Sequence, residues 1–380
     1  MKKYFLILFA LALCLATVLS SATTCKASEM VTAKEGLVMS EFGDVLYQKN
    51  ATEKRPIASM TKIMTLLCVY DAIENGKVSL DDNVVVSKRA SDMGGSQVFL
   101  EANATYKLEN LVKSVVICSA NDSCVALAEH ICGSVENFVD QMNQTASKLN
   151  LVATHFENCT GLPHISQFSC ALDVATMFRQ LIKYPHYFKC ANIWMEDFQH
   201  PQGRVTGMTN TNKLVRFYDG CDGGKTGYTS EAMHCLCATA KRGDTRVIAV
   251  VVGAEDSKTR FAEVSALFNY AFANYHTKCY LKAGEVATNL QVSYGKQKEI
   301  PLAVDKDLCL FQSKQHSASA NVQYVLQSGV VAPIKAGDVL GAANLVDDNG
   351  KVLESANLVA TKGVERISYW ENVKRIVANG

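Results

Sequence analysis

The 380-residue sequence has almost no net charge, with 38 Lys and Arg against 37 Asp and Glu for a formal +1, and it contains no basic block interleaved with aromatics. A nucleic-acid partner, which needs a concentrated cationic surface, is therefore not expected. No Cys-x-x-Cys pair and no His/Cys cluster at zinc spacing occurs, so a structural zinc is not expected, and neither is an organic cofactor. Beyond residue 27 no apolar run is long enough to span a bilayer.

The first stretch has the three parts of a secretory signal peptide. Lys2-Lys3 precedes an apolar run from Tyr4 to Val18, and small or polar residues follow through Ala27. Cleavage after Ala27 or Ala22 fits this pattern; an uncleaved anchor is the alternative. A lipobox is missing, because Cys25 follows Thr23-Thr24. The chain is 48% hydrophobic and 20% charged, enough to bury a sizeable core and long enough for two domains. Of 14 cysteines, Cys14 and Cys25 lie in the leader. Export invites a disulfide framework. Yet Cys68, Cys118, Cys124 and Cys132 fall in apolar helical runs, and Cys235 and Cys237 alternate along a strand pattern, where cysteine acts as a small hydrophobe. Mostly free thiols are expected, as suits a reducing or anaerobic setting.

The chain is organised around Ile57 to Leu67, where Ser59 and Lys62 open an apolar helical run. Residues three apart share a helix face, so hydroxyl and amine point into one space. A lysine can take the serine proton only if its ammonium form is disfavoured. A helix starting at Ser59 would also offer free N–H groups to an oxyanion. A Ser-x-x-Lys also occurs at Ser293 to Lys296, and an N-capping serine is the simpler reading of Ser59 alone. Downstream follow Ser119-Ala120-Asn121 and Lys225-Thr226-Gly227. Ser-Ala-Asn recurs at 319–321 and 355–357, so specificity resides in the ordered triple and not in any one member.

Short strands are expected at Gly36 to Ser40 and Asp44 to Gln48, and at Val84 to Val86. Helical patterns cover Ser59 to Asn75, Leu108 to Leu149 with breaks at Ser119–Asn121 and Gly133, Ala171 to Tyr184, and Thr259 to Tyr275. A strand pair from Cys235 to Val252 turns at Arg242-Gly243-Asp244. Strands at both ends around a helical middle predict an α/β sandwich whose sheet joins the two ends. Beyond about Lys278 short alternating strands predict a small all-β domain. The close, 364–380, sets Val364, Ile367, Trp370, Val373 and Val377 on one helical face, with Arg366, Lys374 and Arg375 available for the other. Such a helix can lie in a membrane interface or pack on its own β-domain.

The three motifs, together with Lys225 to Thr229, Cys237 to Arg242 and Val250 to Ala254, are similar to the serine-type D-Ala-D-Ala carboxypeptidases, the low-molecular-mass penicillin-binding proteins. The resemblance implies a β-lactamase/transpeptidase-like catalytic domain of antiparallel sheet and helices over 28–277, a β-domain over 278–363, and a helix over 364–380 on the outer face of the cytoplasmic membrane. It implies an exported enzyme acting on peptidoglycan stem peptides ending in D-Ala-D-Ala and inhibited by β-lactams. Ser59 would be the nucleophile, Lys62 its base and Lys225 the like charge beside it. Ser119 would pass a proton to the leaving amine, and Asn121 would hold Lys62 and the substrate amide. The N–H groups of Ser59 and Tyr228 would hold the oxyanion, and Thr226 and Arg260 the terminal carboxylate. Gly227 would let substrate approach the strand, and Asp173 would support the site from a helix start.

Gly224 stands where this family usually has leucine, Met233 where it more often has glycine, and Tyr228 where histidine is common. A class A β-lactamase needs a Glu-x-x-Leu-Asn loop between the second and third motifs; Glu157 and Glu196 are nearest, and neither begins one. β-Lactamase or esterase activity is thus a weaker expectation. A catalytically silent wall-binding protein is likewise disfavoured, since the reactive groups are all present.

Overall fold

The computed structural model describes residues 30–315, 319–371 and 373, so the leader assigned to 1–27 and most of the closing segment lie outside the described residues. The chain divides into two units, Met1–Thr32 and Ala33–Gly380, and the second holds everything below.

Its main sheet has five antiparallel strands in the order β2-β1-β9-β8-β7. These are β1 (Glu35–Ser40), β2 (Val45–Lys49), β7 (Cys221–Thr229), β8 (Met233–Arg242) and β9 (Thr245–Ala254), so the two ends of the domain meet at the β1–β9 pair. Between them lie two hairpins, β3 (Asn83–Val85) with β4 (Thr105–Lys107), and β5 (Met195–Gln199) with β6 (Val205–Thr209). The longer helices are α1 (Lys62–Glu74), α2 (Leu108–Cys118), α3 (Asn121–Cys132), α4 (Val135–Lys148), α5 (Ala171–Leu181) and α6 (Ser257–Asn274). Ile248, Val250 and Val252 of β9 join the large core shared with α1, α2, α3 and α5. The intervening Val247, Ala249 and Val251 are equally buried, and α6 packs on β9. A strand covered on both faces reads as the continuous apolar run seen in the sequence.

Helix α1 is apolar nearly all round, and ten of its residues are buried, as a helix inside a core requires. The turn that carries Ser59 differs from expectation: Ala58–Thr61 is a 3₁₀ turn and α1 starts at Lys62, not Ser59. The short β5–β6 hairpin was not legible in the sequence, because its strands MEDFQ and VTGMT carry little β-branched apolar character.

Strand β10 (Tyr275–Leu281) leaves α6 directly and pairs with β13 (Leu308–Ser313). A second five-stranded sheet runs β11-β12-β16-β15-β14, built from β11 (Val286–Gln291), β12 (Glu299–Val304), β14 (Asn321–Leu326), β15 (Val339–Val346) and β16 (Val352–Ala360). Cys279 and Cys309 face each other across β10 and β13 and form a disulfide, while ten described cysteines stay free. The expected helical face starting at Val364 is corrected. Val364 bridges Ile334 and is buried in the β-domain core, Arg366 bridges Gly295, and the Ile367 N–H donates to the Tyr294 carbonyl. Helical geometry begins only at Tyr369. Residues 364–367 are extended because the β-domain uses their backbone groups and apolar side chains. Among the described residues, no helix is long and apolar enough to cross a membrane.

Candidate active site

Lys62, at the first turn of α1, has no exposed surface. Its Nζ lies 3.0 Å from Ser59 Oγ, 2.6 Å from Asn121 Oδ1 and 2.5 Å from the Thr160 carbonyl. The 3₁₀ turn keeps Ser59 three residues from Lys62 on one side of the chain, and no side chain caps that turn. Thus Ser59 is not an N-cap. Asn121 opens α3 without capping it; its Nδ2 donates 2.7 Å to the Gly94 carbonyl, which fixes Oδ1 toward Lys62.

Burial, above all, holds the Lys62 ammonium below the usual lysine range. Lys225, on the edge strand β7, is also buried and is pushed down further, first by burial and then by the Lys62 charge. A neutral amine at Lys62 has two N–H groups and one lone pair. The Asn121 and Thr160 oxygens can only accept here, so the lone pair is left for the Ser59 hydroxyl. That arrangement can take a proton from serine.

Ser119 ends α2 with a left-handed φ of +66°. Its buried hydroxyl has no hydrogen-bond partner among the described residues, a pairing of strain and unmet polarity typical of working sites. Thr226 is buried beside Lys225, and its carbonyl accepts from Lys225 Nζ at 2.9 Å. Arg260, on α6, donates to the Gly227 carbonyl at 3.2 Å and leaves its buried Nε unpartnered among the described residues. Tyr228 is exposed and packs against His234, with ring centroids 4.4 Å apart and the rings tilted by 31°. The structure therefore gathers Ser59, Lys62 and Asn121 by direct contact and sets Lys225, Thr226 and Gly227 along the neighbouring strand.

Gly227 serves a packing need. A Cβ there would lie 2.6 Å from the Ile57 carbonyl and 3.2 Å from Ser59 N, so its absence lets β7 lie against the turn that carries Ser59. At Gly224 a Cβ would meet Asn212 Nδ2 at 2.6 Å and the Cys237 carbonyl at 2.7 Å, which explains why a larger residue is missing here. Met233 has a φ of +56°, the conformation that glycine adopts freely. Asp173 accepts from Ala153 N–H and Thr154 Oγ1, tying the loop after α4 to α5. Glu157 faces His155, and Glu196 pairs with Lys113.

The sequence reading missed Thr160 and the loop that carries it. Asn158 Oδ1 accepts from Thr160 N–H, Thr160 Oγ1 and Gly161 N–H, an Asx-type turn that aims the Thr160 carbonyl at Lys62. The signal was the run Asn158-Cys159-Thr160-Gly161. Beside this loop a cleft of about 560 Å³ opens between Pro56, Ala58, Leu162, Phe168 and Thr229.

A family profile for D-alanyl-D-alanine carboxypeptidase matches residues 21–256, and one for the C-terminal domain of penicillin-binding protein 5 matches 275–366. The D-alanyl-D-alanine carboxypeptidase DacF of Bacillus subtilis is 37% identical over 344 residues, spanning 90% of this chain and 88% of that one. DacC of Escherichia coli is 32% identical, spanning 87% and 84%. Among solved structures, penicillin-binding protein 5 of Haemophilus influenzae aligns with a TM-score of 0.67 at 31% identity, covering 88% of this chain and 98% of that one. Fold, profiles and relatives agree: the chain belongs to the D-alanyl-D-alanine carboxypeptidase family.

Proposed function

We propose that this enzyme removes the terminal D-alanine from peptidoglycan stem peptides through an acyl-enzyme at Ser59. The observation that carries the reading is the buried Lys62 amine, held between two acceptors and the Ser59 hydroxyl. Ser59 Oγ attacks the carbonyl between the two D-alanines as Lys62 takes its proton. The C–N bond then breaks, the departing amine receives a proton through Ser119, and water hydrolyses the ester. The N–H groups of Ser59 and Tyr228 hold the oxyanion, each donor worth about 3 to 4 kcal/mol in a comparable acyl-transfer site. Thr226 and Arg260 receive the terminal carboxylate, for which a guanidinium is well shaped; burial keeps Lys62 from holding a proton, and Lys225 lies buried on the neighbouring strand.

β-Lactams acylate the same serine and persist, because Glu157 is turned to His155 and Glu196 to Lys113. Export by the N-terminal leader belongs to this reading. Membrane contact falls to the exposed Tyr369 and Trp370, not to Val364 and Ile367, which the β-domain buries.

The test is incubation of the protein lacking its leader with a fluorescent penicillin and, separately, with a D-Ala-D-Ala peptide, beside Ser59→Ala. Labelling and D-alanine release, both lost in the variant, are expected. Labelling that survives in Ser59→Ala would overturn the assignment, and rapid turnover of penicillin would overturn the persistence of the adduct.

A further inference from the structure

The wall that holds Asn121 is itself held from outside. Asn121 N–H donates to the Ser96 carbonyl and its Nδ2 to the Gly94 carbonyl, each at 2.7 Å. Two residues further along that loop, the carboxylate of Asp122 accepts from the N–H groups of Val98 and Leu100. The outer side of the loop is gripped by the β5–β6 hairpin. Thr206 Oγ1 donates to the Val98 carbonyl at 3.2 Å, and Arg204 donates to the Phe99 carbonyl at 2.6 Å.

His200, in the hairpin turn, is the hub of this grip and is only 6% exposed. Its Nδ1 meets Arg204 at 2.9 Å and the Tyr106 hydroxyl at 3.1 Å, and its Nε2 meets Thr206 Oγ1 at 2.9 Å. Arg204 can only donate, so Nδ1 must accept and the proton must sit on Nε2. A directed chain follows: Nε2–H donates to Thr206, whose hydroxyl donates to Val98. A second proton on Nδ1 would point at the Arg204 guanidinium and break the hub. The charged and titratable groups facing the ring are Arg204 from the hairpin, Tyr106 from β4 and Glu101 from the loop. Burial, then the Arg204 charge, keeps His200 below the ordinary imidazole value, with Glu101 opposing.

We propose that His200 is a positioning residue for acylation: its neutral ring locks the hairpin onto the loop that orients Asn121, and its protonation in acid releases that lock. The proposal rests on the acyl-enzyme reading above. Because the folded protein resists protonating His200 more than the unfolded chain does, the lock is complete above the ordinary imidazole value of about 6.5 and is lost as pH falls through the lower value His200 has in the folded state.

The experiment measures acylation by fluorescent penicillin against pH for the wild type, His200→Gln and His200→Ala. Glutamine can accept from Arg204 and donate to Thr206 without titrating. We expect His200→Gln to acylate within about threefold of wild type near pH 8 and to lose the acid-side fall that belongs to His200, keeping only the limb set by Lys62. His200→Ala should be slowed about tenfold at every pH, with the same flattened limb. A His200→Gln profile superimposable on wild type would overturn the proposal, whereas absence of labelling in the wild type at all pH values would instead overturn the acyl-enzyme reading. Should the variants not fold, native-state amide exchange of Val98 and Leu100 in the wild type decides the matter. Protection that drops as pH falls from about 8 into the acid range well below the ordinary imidazole value, after correction for intrinsic exchange, supports the lock, and protection unchanged across that whole range refutes it.

Discussion

Gly161→Ala should disable acylation far more than it destabilises the protein. Gly161 has a φ of +80°, and a Cβ there would fall 2.1 Å from the Ala58 carbonyl oxygen and 2.9 Å from Ser59 N. The left-handed conformation alone costs alanine about 1 to 2 kcal/mol. Gly76 supplies the control, because it has a φ of +67° with nothing among the described residues within 4 Å of the added atom, so Gly76→Ala carries the conformational cost without the collision. The collision at Gly161 is with backbone, and relieving it requires the Thr160–Gly161 loop and the Ser59 turn to part by about 1 Å, a misplacement that costs reactions in such sites about 10²-fold. Both sides of that gap matter, since one carries Ser59 and the other supplies the carbonyl 2.5 Å from Lys62 Nζ. The assay is the second-order rate of penicillin acylation for both variants, beside thermal unfolding. Gly76→Ala should acylate at the wild-type rate, and Gly161→Ala about 10²-fold slower. Equal acylation by the two folded variants would refute the packing argument.

Met233→Gly should raise stability by about 1 kcal/mol, because the strand then starts with a residue indifferent to the sign of φ; a lower unfolding midpoint would contradict this. Val364→Ser should destabilise the β-domain by about 2 kcal/mol, since Val364 is only 3% exposed within its core, and an unchanged unfolding midpoint would restore the surface-helix reading. Denatured protein lacking the leader should titrate ten thiols without reductant and two more with it, from Cys279 and Cys309; a larger gain would mean that the buried cysteines are paired.

The sequence made legible those features written in consecutive residues. The apolar strand pair Met233–Arg242 and Thr245–Ala254 announced itself by its composition and its Gly243 turn, and the breaks at Ser119 and Gly133 divided α2, α3 and α4 where the structure does. Ser59 and Lys62 could be paired by spacing alone. What could not be read were contacts between distant segments. Thr160 reaches Lys62 from 98 residues away through its backbone carbonyl, so the Asn158–Gly161 run could mark the turn but not its partner. The segment 364–367 misled for a related reason. An apolar residue every third position fits a helix face, but Val364 and Ile367 are placed by bridges to Ile334 and to the 294–295 turn, which no local period reveals.

The same distant contacts explain why the site burdens the fold that builds it. Lys62 and Lys225 are both held below the usual lysine value, first by burial. Over the interval between those lowered values and the ordinary lysine value near 10.4, the unfolded chain binds more protons than the folded one. Unfolding free energy therefore rises with pH across that interval, and the protein near neutrality sits on the unfavourable side of the slope. Lys225→Met removes one of the two groups and places an apolar chain of similar length in a buried position. It should flatten the rise of stability with pH, measured by denaturant unfolding between neutrality and the lysine range, while abolishing acylation. A slope unchanged by the substitution would mean that Lys225 keeps its proton in the folded state, and its charge would then add to burial in disfavouring a proton on Lys62.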